Sequence, residues 1–190
     1  DAASSEVLGR VDVGAVPDGI ALESAGGKPS RAWVLNAAAN TVSLVNLLDP
    51  ARPKVVTTIL LEDPTHPAVK RGRIAFNKAA ASTTGTFSCA SCHPDGDADG
   101  RTWQQPEGLR NTQPLAGLSW THPVHWSADR DEVQDFEHTI QGKLMQGQGL
   151  LQGPLPDALG VPFSGKSKPL DALAAYTNSH KYSLSPFAKS

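Results

Sequence analysis

Phe87-Ser88-Cys89-Ala90-Ser91-Cys92-His93-Pro94-Asp95-Gly96 contains both cysteines of the 190-residue chain and one of its six histidines. Cys89-Ala90-Ser91-Cys92-His93 has the CxxCH spacing of a covalent haem attachment site. Two thiols three positions apart on one turn reach the two vinyl groups along one porphyrin edge, and the imidazole that follows is directed under the iron. Zinc normally takes four protein ligands, and no second spaced pair of Cys or His follows. A thioredoxin-like redox pair requires a βαβ setting that this sequence lacks, and a plain disulfide has no need of His93. The spacing therefore predicts one covalent haem c, anchored by Cys89 and Cys92 and ligated by His93.

The sixth iron position falls to Met145 or to one of His66, His122, His125, His138 and His180. His138 lies two residues from both Phe136 and Ile140, about 200° around a helix, so it faces away from their apolar stripe and reads as a solvated histidine. His66 stands at a helix start and His180 in a tail without periodicity. His122 and His125 belong to Thr121-His122-Pro123-Val124-His125-Trp126, where Pro123 fixes the chain and either imidazole can approach a haem or hydrogen-bond within the loop. Met145 is the one methionine of the chain and sits in a loop rich in glycine. Its thioether is taken as the sixth ligand, with His125 second, since Met/His ligation is the arrangement of cytochromes c.

Working outward from the motif, the first sixty residues read as β-structure. Val7 to Val13, Gly19 to Glu23, Arg31 to Asn36, Thr41 to Asn46 and Lys54 to Leu61 are short runs of strand-forming residues. Turn chemistry at Pro17-Asp18-Gly19, Gly26-Gly27, Ala39-Asn40 and Asp49-Pro50 separates them, as in antiparallel hairpins. From Asp63 onward helices and long loops are expected. One helix follows Thr65-His66-Pro67. A second has Asp129 and Glu132 as a capping box, a stripe of Val133, Phe136 and Ile140, and an end at Gly142. A third starts near Pro169 with Leu170, Leu173 and Tyr176 on one side. The domains implied are an antiparallel β-module over residues 1–62 and a haem domain over 63–190.

The chain resembles known families at these points. Pro17-Asp18-Gly19-Ile20-Ala21, Ala32-Trp33-Val34-Leu35-Asn36 and Asn40-Thr41-Val42-Ser43-Leu44-Val45 resemble one repeat of a YVTN-type β-propeller, although closure takes about 4–8 blades and no second copy is seen. The order of helix, CxxCH, Met-bearing loop and terminal helix resembles the cytochrome c fold. In that fold the first and last helices cross at a small residue, here through Gly72 and Phe76 against Leu173 and Tyr176. Phe87 to Gly96, Asp99-Gly100-Arg101-Thr102-Trp103, Arg110-Asn111-Thr112 and Pro123-Val124-His125-Trp126 are similar to the di-haem cytochrome c peroxidase and MauG-related family. That likeness implies that Trp103, Arg110, Asn111 and Trp126 line the haem or bind its propionates, and it matches Met145 to the family's methionine after the His-Trp motif. The implied class is α+β, a mainly α-helical cytochrome c-like haem domain with long loops behind a small antiparallel sheet resembling one blade.

That family uses two haems, whereas this sequence has one CxxCH, and a Met-ligated haem lacks the open sixth position of a peroxidatic centre. The function implied is a mono-haem c-type cytochrome that transfers one electron. The alternatives are the haem centre of a peroxidase-like or MauG-like oxidoreductase, and a propeller-type binding module carrying a haem port. Asp95, Asp97, Asp99 and Gly100 resemble half of a calcium loop. Pro106 stands where the bidentate Glu belongs, so a solvated acidic turn is the better reading than calcium. Formal net charge is −2, which indicates neither a nucleic-acid footprint nor a polybasic membrane patch. No apolar run approaches the ~18 residues of a membrane span. The opening residues carry no export signal, which leaves a signal already removed or a chain cut from a longer polypeptide. Covalent haem implies a periplasmic or otherwise extracytoplasmic setting, with a redox protein or further domains of a longer polypeptide as partner. The 17 Gly and 15 Pro are read as loop, ordered around the cofactor.

Overall fold

The structure is a computed structural model and describes residues 4–183, Ser185 and Phe187. The remaining residues at either end, which the two domain assignments include, lie outside the described residues. The chain divides into two compact units, Asp1–Thr65 and His66–Ser190.

In the first unit four strands, β1 (Pro17–Ala25), β2 (Lys28–Asn36), β3 (Thr41–Asn46) and β4 (Lys54–Leu60), form one antiparallel sheet in chain order. Gly26 and Gly27 both have positive φ, 58° and 77°, which lets two residues reverse the chain between β1 and β2. Ala32, Asn36, Thr41, Ser43 and Val45 are buried on one face. There the Asn36 side-chain amide donates to Thr41 Oγ1 and Ser43 Oγ at 2.9 Å each, so this face is held partly by polar contacts. Val7 to Val13, expected as a strand, is irregular.

The second unit corrects the expected fold class. Among the described residues of the two units together, helix and strand each account for 23%, with three α-helices and two antiparallel sheets, which is not a mainly helical cytochrome-like fold. The helices are short: α1 (Pro67–Phe76), α2 (Glu137–Gln141) and α3 (Lys168–Thr177). Between α1 and α2 the chain runs through 3₁₀ turns and a hairpin of β5 (Thr102–Gln105) and β6 (Gly108–Asn111). Gly and Pro recurring through these stretches oppose helix, one by backbone entropy and the other by removing a donor. Among the described residues no helix is long and apolar enough to cross a membrane.

The second helix also differs from its expected form. Val133–Phe136 is a 3₁₀ turn that runs into α2, so the apolar stripe is wound more tightly than a helix. Asp129 is not its cap, because that carboxylate binds His125 and Arg130 instead. Glu132 accepts from the Phe163 and Ser164 amides, which ties this turn to a loop far along the chain.

Helices α1 and α3 pack directly on each other. At their crossing a Cβ on Gly72 would stand 1.9 Å from the Ala172 carbonyl oxygen and 2.6 Å from Tyr176 Cβ. Only hydrogen fits there. The close approach brings Phe76 edge-on to Tyr176 at 5.1 Å and buries it with Leu170 and Leu173. Ile140, Met145, Leu151 and Phe163 complete this core from the loops and α2. Two of these, Phe163 and Leu170, are fully buried, each contributing about 1.5–3 kcal/mol by burial.

Gly72→Ala forces the helices apart and is expected to destabilise the second unit by about 1–3 kcal/mol. Denaturant titration followed by tryptophan fluorescence should show the lower midpoint; an unchanged midpoint would mean that the crossing has slack.

Candidate functional site

Cys89–Ser91 is one 3₁₀ turn, and its capping residue Ser88 donates its N–H to Ser91 Oγ at 3.0 Å. The amides of Cys92 and His93 both donate to the Cys89 carbonyl, at 3.3 and 3.0 Å, which winds the five motif residues into one tight loop. Both cysteines are free thiols. Burial pushes the Cys89 thiol up to about 11, and burial reinforced by the Asp99 charge raises Cys92 as well. These are protonated thiols at neutral pH, unlike the low-pKa thiolates of a disulfide oxidoreductase.

Burial lowers the pKa of His93, outweighing the carbonyls of Asp97 and Gln113 and the Asp99 charge, so its ring is neutral at neutral pH. A neutral imidazole has a nitrogen lone pair for a metal. Nδ1 of His93 is buried without a hydrogen bond of good geometry. Among the described residues no three His, Cys, Asp or Glu side chains are grouped to hold an ion by themselves.

The motif opens onto a cavity of about 540 Å³, within the ~300–1,000 Å³ span of small-molecule and cofactor sites. Cys89, Cys92 and His93 line it at one side, and Met145 also lines it. Trp103, Arg110 and Asn111 reach it from the hairpin, and His125 and Trp126 from the following loop. The nine residues assigned to the haem site from the sequence thus border one space. Its walls are largely apolar, with Phe76, Leu115, Val133, Phe136, Ile140 and Leu173 between these groups.

Each of the outer groups has a local reason for its place. Trp103 and Arg110 are cross-strand partners in the hairpin, where alternate residues turn to the same side. The Trp103 indole donates to Asp99 Oδ2 at 2.8 Å while Asp99 Oδ1 accepts from the Arg101 amide at 2.9 Å. Partial burial pushes the Asp99 carboxyl up, but hydrogen bonds from Arg101, Thr112 and Trp103 outweigh it and hold the group below the ordinary range. Asp99 is therefore more than part of a solvated acidic turn: it holds a cavity-lining ring. The Trp126 indole donates to the Asn111 carbonyl at 2.8 Å, joining loop to hairpin.

His125 Nδ1 and Asp129 Oδ1 are 2.7 Å apart, and Arg130 Nη1 lies 2.9 Å from Asp129 Oδ2. Burial would raise Asp129, yet the bond to His125 and the Arg130 charge together hold it below the usual carboxylate range. His125 has φ 75°, an uncommon conformation for a side chain-bearing residue. Met145 is 5% exposed, and its carbonyl accepts from the Thr83 amide at 3.0 Å.

The remaining histidines do not border the cavity. His66 caps α1, its Nδ1 accepting from the Ala68 amide. His122 Nδ1 bonds the Asp131 carbonyl. His138 is a correction: its ring lies 5.8 Å from that of Phe163 and Nε2 is buried without a partner, so it is packed rather than solvated. His180 lies edge-on to Tyr176 at 4.7 Å and covers Gly96. Tyr182 lines the cavity and was not singled out from the sequence, where the tail has no period; Gly117, whose Cβ would stand 2.3 Å from its ring, is the residue that admits it.

Family models, curated proteins and solved structures were compared with the chain, and none matches it.

Burial lowers the His180 pKa. Its unfolded form therefore binds a proton that the folded form refuses, and stability present above about pH 6.5 is lost as pH falls from there towards the folded value. Denaturation midpoints measured between pH 8 and 5 should fall on acidification, and fall less in His180→Phe; parallel curves for the two proteins would remove His180 as a cause.

Proposed function

We propose that this chain is a mono-haem c-type protein that carries one electron, with Cys89 and Cys92 as covalent anchors and His93 and Met145 as axial ligands. The observation that carries the reading is the placement of two unpaired cysteine thiols, an imidazole and a thioether around one largely apolar cavity. The donor set fits haem c: two thiols for two vinyl groups, and one nitrogen and one soft sulfur for iron. Each thiol would add its S–H across a vinyl double bond, a step that needs no oxidant or leaving group. Bound there, the haem would supply a one-electron ferric/ferrous couple.

The chain's own residues account for the rest. Burial of Met145 and the apolar walls favour the less charged, reduced state, which raises the potential. Arg110 at the cavity border offers a guanidinium for a propionate. Trp103 and Trp126, both lining the cavity, are held in place by hydrogen bonds to Asp99 and to the Asn111 carbonyl. The resemblance to the di-haem peroxidase and MauG-related family supports the same assignment of these residues. By the same reading the protein works in the periplasm or another extracytoplasmic space and exchanges electrons with a redox protein or with further domains of a longer polypeptide.

A peroxidase-like centre is the second reading. The pairing of His125 with Asp129 beside the cavity favours it, since an imidazole oriented by a carboxylate can move a proton.

Optical and magnetic spectra of the oxidised protein distinguish the two. Electron transfer through Met145 entails a low-spin ferric spectrum with the weak near-infrared band of a methionine–iron bond, abolished in Met145→Ala. A high-spin ferric spectrum in the unsubstituted protein would overturn the Met145 assignment and favour the peroxidase-like reading.

A further inference from the structure

Glu137 is fully buried, yet it does not line the cavity. Its Oε1 accepts three hydrogen bonds, from the amides of Leu150 and Leu151 at 2.6 and 2.9 Å and from Gln141 Nε2 at 2.7 Å. Its other oxygen, Oε2, is buried without a partner. A carboxylate is costly to bury, and its charge-assisted bonds are about twice as strong as neutral ones. The arrangement is specific to the chain that faces it. Gly149, immediately before the two donors, has φ 78°, and a Cβ there would stand 2.1 Å from Oε1 and 2.4 Å from Gln141 Nε2.

These contacts enclose Met145. Residues 142–151 leave the end of α2 at Gly142 and are bound back to its first residue, Glu137, at Leu150 and Leu151. Within that loop the Gly147 amide donates to the Ile140 carbonyl at 2.7 Å, and the Met145 carbonyl accepts from Thr83. Gly147 lies so near the Ala81 carbonyl that a Cβ would come within 1.8 Å. The loop is thus fixed near Met145 by these contacts and at its far end by the bonds of Leu150 and Leu151 to Glu137.

The geometry points to Glu137 as the positioning residue that seats Met145, a buried carboxylate that closes the ligand loop without touching the cofactor. The inference rests on Met145 as the axial ligand. It assigns the hold on the iron–sulfur bond to a hydrogen-bond acceptor outside the haem cavity.

Three variants of the haem-loaded protein test it: Glu137→Leu removes the acceptor at similar volume, Glu137→Gln keeps a carbonyl oxygen in its place, and Gly149→Ala crowds the carboxylate from the loop side. Amide hydrogen exchange reads the tie independently of the haem, and the near-infrared methionine band and the reduction potential read its effect on ligation. In Glu137→Leu the Leu150 and Leu151 amides should exchange about 10–100-fold faster, with the band weakened and the potential lowered. Gly149→Ala should shift all three readouts the same way, and Glu137→Gln should retain the band. Glu137→Leu with unchanged exchange at these amides, or with unaltered band and potential, overturns the inference. If Glu137→Leu does not fold, Gly149→Ala decides on the same criteria. An unsubstituted protein without the methionine band fails the Met145 assignment itself, which its spectrum records before any variant is made.

Discussion

Helices α1 and α3 meet at Gly72 with no room for a side chain, and much of the second unit follows from that approach. It joins residues a hundred positions apart in the chain and places Phe76 and Leu173 in one core and on one cavity wall. The intervening chain must leave the crossing, pass around the cavity and return. Much of it is irregular, because short turns, a hairpin and glycine-bearing loops can follow such a path where long helices cannot. The candidate site residues sit on these connecting stretches, held by bonds between distant residues such as Trp126 to Asn111 and Glu132 to the Phe163 amide.

The cavity divides its work between two kinds of surface. Apolar side chains from α1, α3 and the turn before α2 set a low-polarity interior, which strengthens any electrostatic interaction within it. Polar groups stand at defined points: the thiols and His93, the Arg110 guanidinium, and the paired His125 and Asp129. Asp99 and Glu137 lie behind the first layer. Each spends a carboxylate on orienting another group, one on the Trp103 indole and one on the loop that carries Met145. Both are tied by geometry rather than by proximity to the cavity.

What was legible in the sequence depended on how local the determining interaction is. The CxxCH motif spans five residues, so the tight loop that brings Cys89, Cys92 and His93 to one cavity follows from local spacing. Strands β2, β3 and β4 announced themselves through β-branched runs and turn residues, whereas Val7 to Val13 has the composition of a strand without the pairing. The β5–β6 hairpin was missed, because its four-residue strands hold polar residues whose alternation is too short to register. Asp129 looked like a helix cap because Glu132 follows at the right spacing, but tertiary partners claimed both side chains. His138 looked solvated because helical periodicity turned it from Phe136 and Ile140; Phe163, a loop residue, covers it from the other side. The mainly helical class failed for the same reason, since helix signals near the ends of the domain say little about the loops between them.

In the proposed function Cys89 and Cys92 hold one haem through covalent bonds. The most direct measurement of this attachment is the intact mass of the denatured protein after expression in a host that matures c-type haem proteins. The expected mass exceeds that of the polypeptide by one haem, stays so under denaturing conditions, and returns to the polypeptide value when both cysteines are replaced by alanine. The polypeptide mass alone in the unsubstituted, denatured protein would contradict it.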